Sequence, residues 1–108
     1  SNCIVEIAKT PKPPYYAVIF TSIKKTESDE YNRISKRMID LVKSQEGFLG
    51  FETAQEKIGI TVSYWKNLKS ITAWKNNFEH QDAQKLGKEN FYQTFKVRIS
   101  KIEKDYHF

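Results

Sequence analysis

The stretch ITAWKNNFEHQDAQKLGKENFY, Ile71 to Tyr92, holds the residues best suited to chemistry: Trp74 and, six positions on, His80. The chain has two histidines and one cysteine, so His80 carries much of the acid–base chemistry on offer. Imidazole titrates near neutrality and can accept a proton at working pH. On a helix, positions 80, 83, 84 and 87 form one stripe, which sets His80 and Gln84 beside two small residues, Ala83 and Gly87. Glycine inside a helix costs about 1 kcal/mol against alanine, and close packing or a cavity would explain it. The competing reading is a tightly packed helix with His80 bonded to a carbonyl at its rim. Trp74, at helical spacing with Ile71 and Phe78, is equally accounted for by a buried helical face.

Other chemistries lack their residues. A zinc site needs three or four converging ligands, whereas His80, His107 and Cys3 show no ligand spacing. Cys3 sits in a proline-containing leader and no serine occupies a strand-turn-helix elbow, which leaves no nucleophilic triad. Four glycines form no phosphate-binding loop.

The elements that would position these residues follow from periodicity. Pro11, Pro13 and Pro14 favour an extended approach over residues 1–14, and Tyr15 to Ile23, rich in aromatic and β-branched residues, reads as a strand. Ser28 or Asp29 caps an amphipathic helix carrying Tyr31, Ile34, Met38, Leu41 and Val42, and Gly47 suits its stop. Phe48 to Ala54 and Ile58 to Trp65 read as a hairpin around a short QEK turn. In the second strand Ile58, Ile60, Val62 and Tyr64 share one face while Thr61, Ser63 and Trp65 share the other, so both faces should be covered. A second helix follows Asn67, with a break expected at Asn76-Asn77 and a further piece from Glu79 to Lys88. Phe95, Val97 and Ile99 alternate with Lys96, Arg98 and Ser100 in a last strand from Phe91 to Tyr106.

The order β-α-β-β-α-β predicts a single α+β domain over residues 1–108, a ferredoxin-like antiparallel sheet with both helices on one face. The opposite face then needs a cover, and the simplest is a second copy packed sheet to sheet, a homodimeric α/β barrel. Fifteen aromatic residues, 14% of a 108-residue chain, exceed what a small core uses and suit such an interface or a pocket.

A net charge of +5 and a pI near 9.3 raise nucleic-acid binding, but the lysines interleave with acids and amides without a like-charged block. EGFLGFE superficially resembles an RNA-recognition motif, yet it follows the first helix instead of forming the third strand, and Glu46 replaces the basic residue. We therefore expect no nucleic-acid partner. No apolar run approaches the roughly 20 residues of a membrane helix. One cysteine and no charged-then-apolar signal segment lead to the expectation of a cytoplasmic protein.

The ordered pieces PPYYAVIF, EGFLG, GITVSYW, AWK and EHQDAQKLG, closed by a basic strand ending DYHF, resemble antibiotic biosynthesis monooxygenase (ABM) domain proteins, above all their small uncharacterised bacterial members. The resemblance implies a dimeric α/β barrel with a pocket between sheet and helices, bordered by the Trp74–His80 segment. It implies oxidation of an aromatic small molecule by molecular oxygen without metal or flavin. On that basis His80 is the candidate base, with Trp74 beside it. Phe51, Trp65, Trp74 and Tyr92 are candidate aromatic walls, and Ser63, Tyr64 and Arg98 candidate donors to the substrate anion. Ala83, Gln84 and Gly87 line the same opening. A non-catalytic dimeric module binding an aromatic or hydrophobic small molecule is the alternative. A haem-degrading branch places its iron-ligating histidine ten residues after the tryptophan, where this chain has Gln84, and its first-strand asparagine has no counterpart in AVIFTSIKK. Haem binding therefore ranks third, and a borrowed haem or flavin stays open.

Overall fold

The computed structural model describes residues 6–25, 28–80 and 91–108, with the side chain of His80 outside the description. Its elements are β1 (Tyr15–Lys24), α1 (Asp29–Lys43), β2 (Phe48–Gln55), β3 (Gly59–Trp65), α2 (Leu68–His80) and β4 (Tyr92–Ile102). The strands form one antiparallel sheet in the order β2-β3-β1-β4, the ferredoxin-like arrangement expected.

Local chemistry sets the helix ends. The Ser28 hydroxyl accepts from the Tyr31 amide at 3.0 Å, and Asp29 and Glu30 place negative charge in the first turn. Beyond α1 the chain turns through Gly47 at φ +83°, where a side chain would collide with Ser70 on α2. Asn67 starts α2 by accepting from the Ser70 amide at 2.8 Å. The helix then continues to His80 with no break at Asn76-Asn77, a correction to the sequence expectation. Two asparagines lower helix propensity by only about 0.5–0.7 kcal/mol each, a few-fold less than the burial of Ile71 provides. β4 stops at Ile102, short of Tyr106, because its partner β1 begins at Tyr15, opposite Ile102.

Register sorts the side chains. Tyr16 lies opposite Trp65 and Val18 opposite Ser63, and these point toward the helices, where Val42 of α1 and Ile71 of α2 close over Trp65. Tyr15, Ala17, Ile19, Tyr64 and Val62 alternate onto the opposite face. In β2 the register shifts between Phe48 and Gly50, so Leu49 is an extra residue, and Phe51 faces the helices while Glu52 faces away.

The face away from the helices was expected to lack a cover within one chain. The leader supplies one at one end. The Ala8 amide donates to Glu52 Oε2 at 3.0 Å, and Tyr64 donates to Glu52 Oε1 at 2.6 Å. Thr10 donates to the Tyr15 hydroxyl at 3.1 Å, which donates to Asp105 at 2.5 Å, so the tail is tied to the same place. Tyr15 and Ala17 are thereby 4% and 2% exposed, while Ile60 farther along the face remains 44% exposed. Gly50, at φ +149°, makes the approach possible, since a Cβ there would sit 3.1 Å from Ala8 Cβ.

Gly50→Ala should therefore push the leader off the sheet. We expect a loss of about 1–3 kcal/mol, the usual cost of a side chain in such a backbone conformation, with faster proteolysis before Pro14 and loss of hydrogen-exchange protection at Ala8. Unchanged protection at Ala8 would contradict this account of the docking.

Candidate functional site

On the helix-facing side the aromatic residues gather at two ends. At one, Trp65 is 0% exposed, with Phe48 edge-on at 5.4 Å and Trp74 stacked at 6.4 Å and 26°. Phe78 meets Trp74 edge-on at 5.5 Å, and Phe51 lies 6.4 Å from Phe48. The indole N–H of Trp65 donates to Ser63 Oγ at 2.9 Å, which satisfies the one polar atom of a buried ring and leaves the serine proton for another acceptor.

At the other end Phe20 stacks on Phe95 at 5.3 Å and meets Tyr92 edge-on at 5.5 Å, while Tyr31 of α1 packs edge-on against Phe91 and Tyr92. Lys24 Nζ lies 4.7 Å from the centre of the Tyr31 ring. Burial, with the Tyr31 hydrogen bond second, pushes the Tyr92 phenol well above its ordinary range.

Between the ends runs a floor in which Val18, Ser63, Phe51 and Ile99 occupy one row across the sheet and Phe20, Thr61, Thr53 and Val97 the next. Val97 and Ile99 face the helix side yet remain 44% and 53% exposed, so this part of the floor is open. Along β1, Tyr16 to Phe20 spans four residues, so the two ends stand about 13 Å apart at about 3.3 Å per residue. On the outer flank of α1, Glu30, Arg33, Ile34 and Arg37 line a separate groove.

The structure divides the residues singled out from the sequence. Phe51, Ser63, Trp65, Trp74 and Tyr92 share the helix side, although Trp65 is wholly within the core. Tyr64, opposite Ala17, and Arg98, opposite Ile19, lie on the other face. Their expected convergence with Trp74 is corrected, because the sheet stands between them. The His80 side chain and Ala83, Gln84 and Gly87 lie outside the described residues. Tyr31, Val18, Val97 and Ile99 were missed. The alternation in β4 marked Val97 and Ile99 as apolar, but nothing local marked them as uncovered.

Among the described residues, no three His, Cys, Asp or Glu side chains converge as metal ligands, and no helix is long and apolar enough to cross a membrane.

Residues 14–86 match the antibiotic biosynthesis monooxygenase family, a span that includes Trp74, His80 and Gln84. The chain belongs to that family. This ABM protein is 42% identical over 100 residues to the uncharacterized protein YqjZ of Bacillus subtilis, across 91% of this chain and 88% of that one. In fold it is similar to a conserved protein from Methanosarcina mazei Go1, with TM-score 0.69, 18% identity, and 85% and 94% of the two chains covered. It is also similar to SnoaB of Streptomyces nogalater, described as a cofactor-independent oxygenase, with TM-score 0.67, 10% identity, and 84% and 95% covered.

The residues on the far face of this ABM domain have a measurable signature. Burial, then the hydrogen bond to Glu52, pushes the Tyr64 phenol from 10.0 up to about 12. A group whose folded pKa is raised adds stability that is complete below the unfolded value and is lost as pH rises through the folded one. Between pH 10 and 12 the wild-type melting temperature should thus fall more steeply than that of Tyr64→Phe. A phenolate absorbance titration of the variant should lack one late-ionising tyrosine. Parallel curves for the two proteins would refute the assignment.

Proposed function

We propose that this ABM protein is a cofactor-independent monooxygenase acting on an aromatic small molecule. The observation that carries the reading is the open apolar floor at Val97 and Ile99, between two aromatic ends, a surface suited to a flat ring system. Family membership and the likeness to an oxygenase of the same fold support it.

The chemistry asks the protein for little beyond binding and proton transfer. His80 takes a proton from an activated ring methylene, and the resulting carbanion supplies electrons to molecular oxygen. One oxygen atom replaces the two methylene hydrogens as a carbonyl, and the other leaves with them as water. Trp74 and Phe51 hold the rings, and Ser63, already an acceptor from Trp65, donates its own proton to substrate oxygen.

With an anthrone as substrate, oxygen uptake by His80→Ala should fall about 10²-fold or more, the lower range for a positioned base, at nearly unchanged melting temperature. Trp74→Phe should raise KM more than it lowers kcat, because a wall contributes to ground and transition states alike. An unaltered rate in His80→Ala would remove the base from the scheme. Tight binding by the wild type without oxygen uptake would make the protein a binding module.

Assembly and location belong to the same proposal. The far face beyond the leader, where Ile60 is exposed, is the surface on which a second copy would pack to form a homodimer, in the reducing cytoplasm that a lone cysteine suits. Sedimentation at low micromolar concentration should give a dimer burying more than roughly 1,600 Å². A single 12.7 kDa species would refute it.

A further inference from the structure

The end of the floor remote from Trp74 carries two phenol hydroxyls that meet poorly. Tyr92 donates to Tyr31 across 3.3 Å, longer than the roughly 2.7–2.8 Å at which O–H···O bonds are strongest. Among the described residues the Tyr31 hydroxyl proton finds no acceptor. One donor is thus weakly used and the other unused, in a nest of Phe20, Phe91 and Phe95 where phenylalanine at both positions would pack as well. An oxygen that accepts from both hydroxyls would gain two bonds where the pair now shares one long one.

Charge and position narrow the partner. Two neutral donors close together favour an oxyanion over a neutral carbonyl, because hydrogen bonds to a charged acceptor are about twice as strong. The burial that holds Tyr92 protonated keeps it a donor at any working pH. Val97 lies directly opposite Phe20 and Ile99 opposite Val18 in the next row, so the open floor leads from this end of the sheet back toward Trp74.

We propose that the Tyr31 and Tyr92 hydroxyls bind the ring oxygen of a hydroxylated fused aromatic as its anion. The inference rests on the aromatic-ligand reading above and adds to it a second donor site, at the end of the floor remote from Ser63. It makes the preferred substrate a phenol or enol whose ionised oxygen lies at the end of the ring system away from Trp74. Two donors aimed at one oxyanion act as an oxyanion hole does, and they lower the cost of removing a proton elsewhere in the conjugated system.

The test uses 2-hydroxyanthraquinone, which is already oxidised and changes colour on ionising, and unsubstituted anthraquinone as its neutral counterpart. In wild-type protein the bound phenol should ionise at least one pH unit below the free compound. Tyr31→Phe and Tyr92→Phe should each abolish most of that shift and weaken binding of the anion about tenfold, as expected for a hydrogen bond to a charged group. Affinity for anthraquinone should stay within about twofold in both variants, which also reports that they are folded. If the protein binds both compounds but the ionisation shift survives both substitutions, the hydroxyl pair is not the receptor and the aromatic-ligand reading stands without it. If the wild type binds neither compound, the aromatic-ligand reading itself fails, and this inference with it.

Discussion

The rest of the structure depends on the burial of Trp65. Its ring is reached by both helices, through Val42 and Ile71, and by two further aromatic side chains, Phe48 and Trp74. A ring of this size contributes several kcal/mol only if its N–H is paired, and Ser63, two residues back on the same face, pairs it within the same strand. The opposition of Tyr16 and Trp65 then ties that burial to the register of β1 on β3, and a slip by one residue would turn the indole to the leader side. Helix placement, register and the floor leading to Val97 therefore follow from one buried side chain and its serine.

Much of the frame was legible because it is local. Ser28 as a cap, Gly47 as a turn, the hairpin and the element order each depend on residues within a few positions of one another. Alternation in β3 even separated Tyr64 from Ser63 and Trp65. It could not say which face the helices would take, since each carries both polar and apolar residues, and the candidate donors were pooled across the sheet as a result. Arg98 shared that fate beside Val97 and Ile99. The Tyr31–Tyr92 meeting joins residues 61 positions apart, and the docking of Ala8 on Glu52 joins residues 44 apart. Neither leaves a periodic trace. What exposed them is the register, a long-range quantity.

The two faces of the sheet divide the labour. The helix side holds the open floor and the aromatic ends, where an apolar ligand finds few charges. The other side carries Glu52 and Asp105, each accepting from a tyrosine, with the leader and tail drawn over that end. Proton-bearing groups there serve attachment. A sheet's thickness keeps the carboxylates used for docking away from the helix-side floor.

The extra residue at Leu49 decides which set is which. β2 reads as a sequence of odd and even positions, and the bulge resets their parity, so that Phe51 falls in step with Ser63 and Glu52 with Val62. Were the bulge ironed out, with Leu49 paired in regular register opposite Tyr64, the same letters in the same order would carry Glu52 under the helices opposite Thr61 and Phe51 out opposite Val62. β2 is thus tolerant of changes in kind and sensitive to changes in count: a conservative replacement perturbs one contact, whereas a residue lost beyond the bulge exchanges inside for outside from that point to the hairpin, and only the loss of Leu49 itself leaves the pairing as it is.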